Sequence, residues 1–242
     1  MTRTVRDHGF SASGRPPRPA AVGRERRQVL PRGFFDRPVL TVAPALLGCV
    51  LAHQTADGLV AAEIVEVEAY RGESDPASHA FRGKTPRNAV MFGEPGHAYV
   101  YFTYGMHFCV NLVCQQPGRA SAVLLRAGRV VEGGQLAAVR RGAAAVRQGA
   151  AAERELARGP ARLCQALAIG RAENGADVCD PAGPLRVLAP AGFAGLPAEA
   201  ISSGPRVGVR LGSEEPWRFW VTGERAVSVY RPHVPKRRSA AS

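Results

Sequence analysis

At 242 residues the chain is long enough to bury a sizeable core, and its 45% hydrophobic content calls for a folded body. The formal net charge of +12 and a pI near 10.5 point to an acidic partner, nucleic acid first and an anionic membrane surface second. The five cysteines form no CxxC pair and no His cluster completes a zinc site, which excludes a zinc module or a disulfide scaffold and suits reduced thiols in a cytoplasmic protein.

Residues 1–30 are rich in Arg, Pro, Gly and Ser without a hydrophobic period, and read as a disordered basic tail. Eight Arg against Asp7 and Glu25 in residues 1–32 give a local +6, half of the total excess. The N-terminus has no apolar core of a secretory signal, and no apolar run reaches the roughly 18 residues of a membrane helix. A folded domain is expected over 31–231, with a second basic tail at 232–242. Thr41 is the expected N-cap of a short helix with Pro44 in its first turn and Gly48 at its end. "CVLAHQTADGLVAAEIVEVEAY" predicts a hairpin turning at Asp57-Gly58. Alternation along its second strand places Ala62, Ile64, Glu66 and Glu68 on one face, and Glu63, Val65 and Val67 on the other.

"RGESDPASHAFRGKTPRN" is polar and aperiodic, a long connection of the kind that carries function. A second hairpin, "AYVYFTYGMHFCVNLVCQ", and a strand, "ASAVLLRAGRVV", follow. Residues 134–158 predict helix broken at Gly142 and Gly149, and "GPARLCQALAI" carries a helical stripe of Leu163, Ala166, Leu167 and Ile169. "LRVLA", "PRVGVRLG" and "PWRFWVTG" read as short strands between Gly and Pro. The fold class is α+β: one compact domain, a curved and mostly antiparallel sheet, flanking helices and a protruding β-hairpin.

Tyr99 and Tyr101 share one side of their strand, and Tyr70 shares the face of Glu68. Aromatic walls of this kind suit a flat, electron-poor or cationic ligand, although tyrosines in hairpins more often only pack. Three carboxylates, Glu63, Glu66 and Glu68, invite an acid–base reading, although charges on a half-exposed strand are usually solvated. GxSxG, P-loop and HExxH motifs are absent. Tyr104, in "VYFTYGMHFCVNLV", puts a large ring at a hairpin tip where Asn or Asp would be the easier residue.

The stretch "EIVEVEAYRGESDPASHAFRGKTPRNAVMFGEPGHAYVYFTYGMHFCVNLV", with "VLLRA" and "GPARLCQALAI" downstream, resembles the alkyladenine (3-methyladenine) DNA glycosylase family of base-excision repair. The resemblance runs from about Phe34 to Tyr230. It implies an enzyme that flips an alkylated or deaminated purine out of duplex DNA and hydrolyses its N-glycosidic bond. The expected protein is a monomer that uses no metal, no cofactor and no covalent intermediate. Glu68 falls at the general-base position and Arg126 at that of the arginine that helps hold the water, although Arg126 also suits a structural ion pair. The Val221 carbonyl is a further candidate for the water. Tyr70, His79 and Tyr101 match the residues that sandwich the base. Asn111 matches the one that crowds the amino group of normal guanine, and equally suits a residue satisfying backbone. Tyr104 matches the wedge that fills the vacated stack, and Arg82, Lys84, Thr85 and Arg87 suit phosphate contacts. Two other readings remain open: a non-catalytic damaged-DNA-binding module on the same fold, and a sheet that stacks RNA on Tyr99 and Tyr101.

Overall fold

Alternating and short apolar runs bounded by Gly and Pro become strands here, and the computed structural model describes them over residues 27–103, 105–142 and 149–233. The strands are β1 (Arg27–Val29), β2 (Val50–Thr55), β3 (Gly58–Tyr70), β4 (Ala98–Thr103), β5 (His107–Cys114), β6 (Ser121–Glu132), β7 (Leu185–Pro190), β8 (Ile201–Gly204) and β9 (Arg218–Val221). The helices are α1 (Arg32–Phe35), α2 (Val39–Ala45), α3 (Gly134–Arg140), α4 (Ala150–Glu155) and α5 (Pro160–Leu167). Among the described residues the nine strands form one open antiparallel sheet in the order β1-β7-β2-β3-β6-β5-β4, with β9 joining β3 and β8 closing on β9. The α+β, single-domain architecture agrees with the expectation. β1 covers three residues within the segment read as tail and pairs with β7 from Arg27 to Val29; residues 1–26 and 234–242 lie outside the described residues.

Both hairpins form. Thr55 pairs with Gly58 around Ala56-Asp57. Thr103 pairs with His107, and Gly105 takes φ +67°, the left-handed region that glycine enters at least cost. Phe102 and Met106 near this tip are 41% and 67% exposed. Tyr104 lies outside the described residues.

Two local expectations are corrected. The helix expected at Thr41 is α2, which begins at Val39 after Pro38, so Thr41 sits inside it and Pro44 near its end. The Thr41 N–H already bonds the Pro38 carbonyl at 2.8 Å, and the turn therefore starts before the hydroxyl could cap it. "PRVGVRLG" is not a strand: only Ile201–Gly204, just before it, is extended and paired. Gly208 and Gly212 take φ +70° and +62°, which breaks the extended run, and its polar groups are spent on side chains of the site described below.

One face of the sheet carries the main core. Phe35, Val42, Leu46 and Leu47 from the α1–α2 region and Leu163, Cys164 and Leu167 from α5 pack there on Ala62, Ile64, Val67, Ala69, Leu112, Val123 and Leu125. Each fully buried Leu contributes roughly 1.5–3 kcal/mol, so the helical stripe at 163–167 anchors α5 by packing rather than by propensity. The other face carries a smaller cluster: Tyr99, Val113 and Ala122 under Ala80 and Met91 of the long connection.

The membership of β3 in the main core exposes a phase change. Plain alternation puts Ile64, Glu66 and Glu68 on one face, which would drive two carboxylates into the apolar core. Instead Ile64 stays in the core with Val67 and Ala69. The pairing with β6 explains it: Ile64 faces Gly128, Glu66 faces Ala127, and Val67 faces Leu125. Val65 on β3 and Arg126 on β6 are thus each an extra residue, two opposed bulges that flip both strands by one position. The same place is where β2, paired to Glu63, gives way to β9, which pairs from Glu66 to Glu68.

Candidate active site

Beyond the bulges, Glu66, Glu68 and Tyr70 all point away from the main core. A cross-strand row runs Glu68, Leu124, Asn111, Tyr99 over β3, β6, β5 and β4. The sheet therefore presents carboxylates and aromatics on one surface, as the chain order of "EVEAY" and "AYVYF" predicts.

Glu68 is 0% exposed. Its Oε1 accepts the Val207 N–H at 2.6 Å and lies 3.2 Å from Arg126 Nη1, while Oε2 accepts the Tyr70 hydroxyl at 2.8 Å. Burying an isolated carboxylate is expensive, and these three donors offset that cost. Arg126 is itself buried and gives its Nε to Glu66 Oε1 at 2.9 Å. Burial works against its charge, but Glu68 and Glu66 outweigh it, so the guanidinium is held protonated. Arg126 is thus both an ion-pair residue and a neighbour of Glu68, as its position in the bulge requires.

Glu66 is the support of this cluster. It accepts Arg218 Nε at 2.8 Å, the Ser228 N–H at 2.7 Å and the Ser228 hydroxyl at 2.8 Å in addition to Arg126. Burial raises its pKa, but Arg126, the Ser228 amide and Arg218 together carry it below the ordinary carboxylate value. Glu63, on the opposite phase of the strand, pairs with half-exposed Arg129 and stands apart.

The cleft beside Glu68 is lined by Tyr70, Ala77, Ser78, His79, Met91, Tyr99, Tyr101 and Asn111. The His79 and Tyr101 rings meet edge to face with centroids 4.5 Å apart, and His79 Nδ1 lies 3.1 Å from the Tyr99 hydroxyl. Burial, and then Arg87, lower the His79 pKa below its ordinary value, so the ring is neutral at pH 7. Burial, and then Glu68, raise that of Tyr70, so its hydroxyl remains a donor. Asn111 gives its amide to the Tyr99 carbonyl at 3.1 Å while facing the cleft. It therefore does satisfy backbone, and that bond orients it.

The long connection is held by two buried side chains. Asp75 accepts the Arg71 and Ala77 N–H groups at 3.1 and 3.0 Å. Asn88 gives its amide to the His79 and Gly83 carbonyls and accepts the Thr85 N–H at 2.6 Å. These bonds fix His79 over the sheet and leave Arg82, Lys84, Thr85 and Arg87 exposed along the loop. Arg87 reaches back to within 6.0 Å of the Tyr101 ring centroid.

The structure thus brings together Glu68, Arg126, Tyr70, His79, Tyr101 and Asn111. It does not bring Val221 to them. Val221 pairs with Ile201 at the far end of β9 from Arg218, the residue opposite Glu68, and its carbonyl accepts the Glu224 N–H at 3.2 Å. The backbone at the carboxylate is that of Val207. Sequence reasoning misses Val207, Arg206, Asp75 and Trp217: "RVGV" alternates like a strand and matches no motif, and the Gly204-Pro205 pair before it is the one hint of a turn. Among the described residues no group of three or more His, Cys, Asp or Glu is placed to hold a metal ion, and no helix is long and apolar enough to cross a membrane.

Fold and site together define a single-domain α+β protein with an aromatic cleft backed by a buried carboxylate. A family profile described as methylpurine-DNA glycosylase matches residues 33–225, and the chain belongs to that family. It is 54% identical over 214 residues to a Streptomyces avermitilis protein named "Putative 3-methyladenine DNA glycosylase", covering 88% of this chain and 96% of that one. Proteins of the same name from Leifsonia xyli subsp. xyli and Methanocella arvoryzae are 52% and 47% identical, covering 84% of this chain in each case and 92% and 98% of their own lengths.

Proposed function

We propose that the protein is a monofunctional DNA glycosylase that removes damaged purines from duplex DNA in base-excision repair. The single observation that carries this is the Glu68 carboxylate, fully buried, with one oxygen bonded to the hydroxyl of an aromatic that lines the cleft. Family membership and the relatives' names support the same reading.

In this reading a flipped purine enters between Tyr70 on one side and His79 and Tyr101 on the other. Methylation at N3 or N7 makes the base cationic, which strengthens its attraction to ring faces and weakens the glycosidic bond. The neutral His79 does not repel it. Asn111, fixed by the Tyr99 carbonyl, crowds an exocyclic amino group. Glu68 takes a proton from a water that attacks C1′; the C1′–N bond breaks, its electron pair leaves with the base, and an abasic sugar remains. A positive charge building on the sugar is stabilised by the same carboxylate. Tyr104, which lies between Thr103 and Gly105 in the sequence, is proposed as the wedge, and Arg82, Lys84, Thr85 and Arg87 as phosphate contacts.

Glu68→Gln keeps the shape of the side chain and removes the base. It is expected to lower single-turnover release of 3-methyladenine by roughly 10²–10⁴-fold while binding to the damaged duplex is retained. Release at the wild-type rate would remove the mechanism. A pure damage-binding module releases no base even with Glu68 in place, so release by the wild-type protein is what separates the two readings.

A further inference from the structure

Arg206 is 1% exposed and sits in the "PRVGVRLG" loop. Its guanidinium carbon lies over the Tyr70 ring, 4.7 Å from the centroid, and over the Trp217 ring, 5.0 Å from the centroid. Nη1 and Nη2 fork onto Asp75 at 2.5 and 2.9 Å, and bond the Ala69 and Gly212 carbonyls at 3.0 and 3.3 Å. Tyr70 lines the cleft and Arg206 does not. The cation therefore lies behind the ring, on the side away from an entering base. Asp75 meets the guanidinium along its forked edge, so the planar face turned to Tyr70 is not covered by the carboxylate.

We propose that Arg206 sets how strongly the cleft discriminates cationic from neutral purines, by holding a guanidinium on the rear face of the Tyr70 ring. This rests on the glycosylase reading above. A ring attracts a cation through the negative charge of its face. A cation already seated on one face draws that charge toward itself and leaves the other face a poorer partner for a second cation. A neutral base, which stacks mainly through dispersion and area, loses much less. Arg206 thus moderates the preference for N-methylated bases that three bare aromatics would give, and keeps the cleft open to a neutral purine such as hypoxanthine. It is a positioning residue as well, since the next amide, Val207 N–H, holds Glu68 Oε1.

The test compares single-turnover release of 7-methylguanine, which is cationic, with release of hypoxanthine, which is neutral, by the full-length protein. The ratio of the two rates is taken relative to wild type, which cancels the different labilities of the bonds. Asp75→Asn/Arg206→Gln removes both charges without leaving either buried alone, and is expected to raise the ratio roughly threefold or more. Arg206→Lys retains a cation and is expected to lower both rates while keeping the ratio within about twofold of wild type. A folded double variant with an unchanged ratio overturns the proposal. If the double variant melts below the assay temperature, Arg206→Lys still decides, because a threefold rise with the charge retained overturns it too. Wild-type protein that releases neither base brings down the glycosylase reading and this one with it; wild-type release with unmoved ratios brings down only the role of Arg206.

Discussion

Two glutamates two residues apart end up with different work because their neighbours differ. Glu66 is enclosed by Arg126, Arg218 and Ser228 and turns no atom to the cleft, whereas Glu68 shares its hydrogen bonds with a cleft-lining tyrosine. Removing one member of a buried ionic cluster costs on the order of 3–5 kcal/mol, so Glu66→Gln is expected to lower the melting temperature markedly at pH 7. The sign of its pH dependence follows from the lowered folded-state pKa. Stability from an ionised Glu66 is complete above its unfolded value, near the ordinary 4.5, and is lost as pH falls through the lower folded value. The melting temperatures of wild type and Glu66→Gln are therefore expected to converge as pH drops below about 4.5, which thermal melts across pH 3–7 would check. A constant gap over that range would mean that the carboxylate is not ionised in the cluster.

Elements matter here through their irregularities. The bulges at Val65 and Arg126 let β3 and β6 keep apolar residues toward the helices while delivering Glu66, Glu68 and Arg126 to the opposite surface. The phase slip was legible: in "AEIVEVEA" the alternation of apolar and acidic residues breaks at Ile64-Val65, where two apolar residues stand together. Extending a single phase through that doublet misplaces Ile64 relative to the glutamates, as the fold shows. Directly after β3, Gly72 takes φ +69°, and a Cβ there would meet the Ala120 carbonyl oxygen at 2.4 Å. Gly72→Ala is expected to destabilise the protein by about 1–3 kcal/mol, through the φ penalty and the displaced carbonyl, measured by urea unfolding. Because Gly72 begins the connection that carries His79, the same variant should lose excision of well-paired lesions at temperatures where it is still folded. An unchanged unfolding midpoint would show that the turn relaxes freely.

At the scale of the whole molecule, charge sets how the protein meets its polyanionic substrate. Residues 1–26 carry six Arg against Asp7 and Glu25, a net +4 that lies before the first strand. Deleting 1–26, and stopping short of Arg27 so that β1 stays paired with β7, is expected to weaken binding to undamaged duplex. The log–log salt slope should become shallower by up to about four units, with single-turnover chemistry preserved. Fluorescence anisotropy from 50 to 200 mM salt would read the slope; an unchanged slope would assign the electrostatics to the body alone.

The sequence by itself determined most of the strands, though not β1 or β8, together with the two hairpins, the amphipathic α5 and the strand carrying Glu68 and Tyr70, because each of these is written in local periodicity or in a turn residue. It also brought Tyr99 and Tyr101 to one surface, since side-chain alternation along a strand follows from the pleat, whereas the pairing of Asn111 with Tyr99 is given by the hairpin register. Only the tertiary structure decided which backbone completes the site. The amide on Glu68 comes from Val207, 139 residues away, in a stretch whose Val-Gly-Val pattern imitates a strand. The sheet switches the partner of β3 from β2 to β9 beside the glutamates, and the loop between β8 and β9 is thereby dropped onto the carboxylate. Hydrogen bonds between residues so far apart depend on strand order and on two opposed bulges, which residue spacing does not encode.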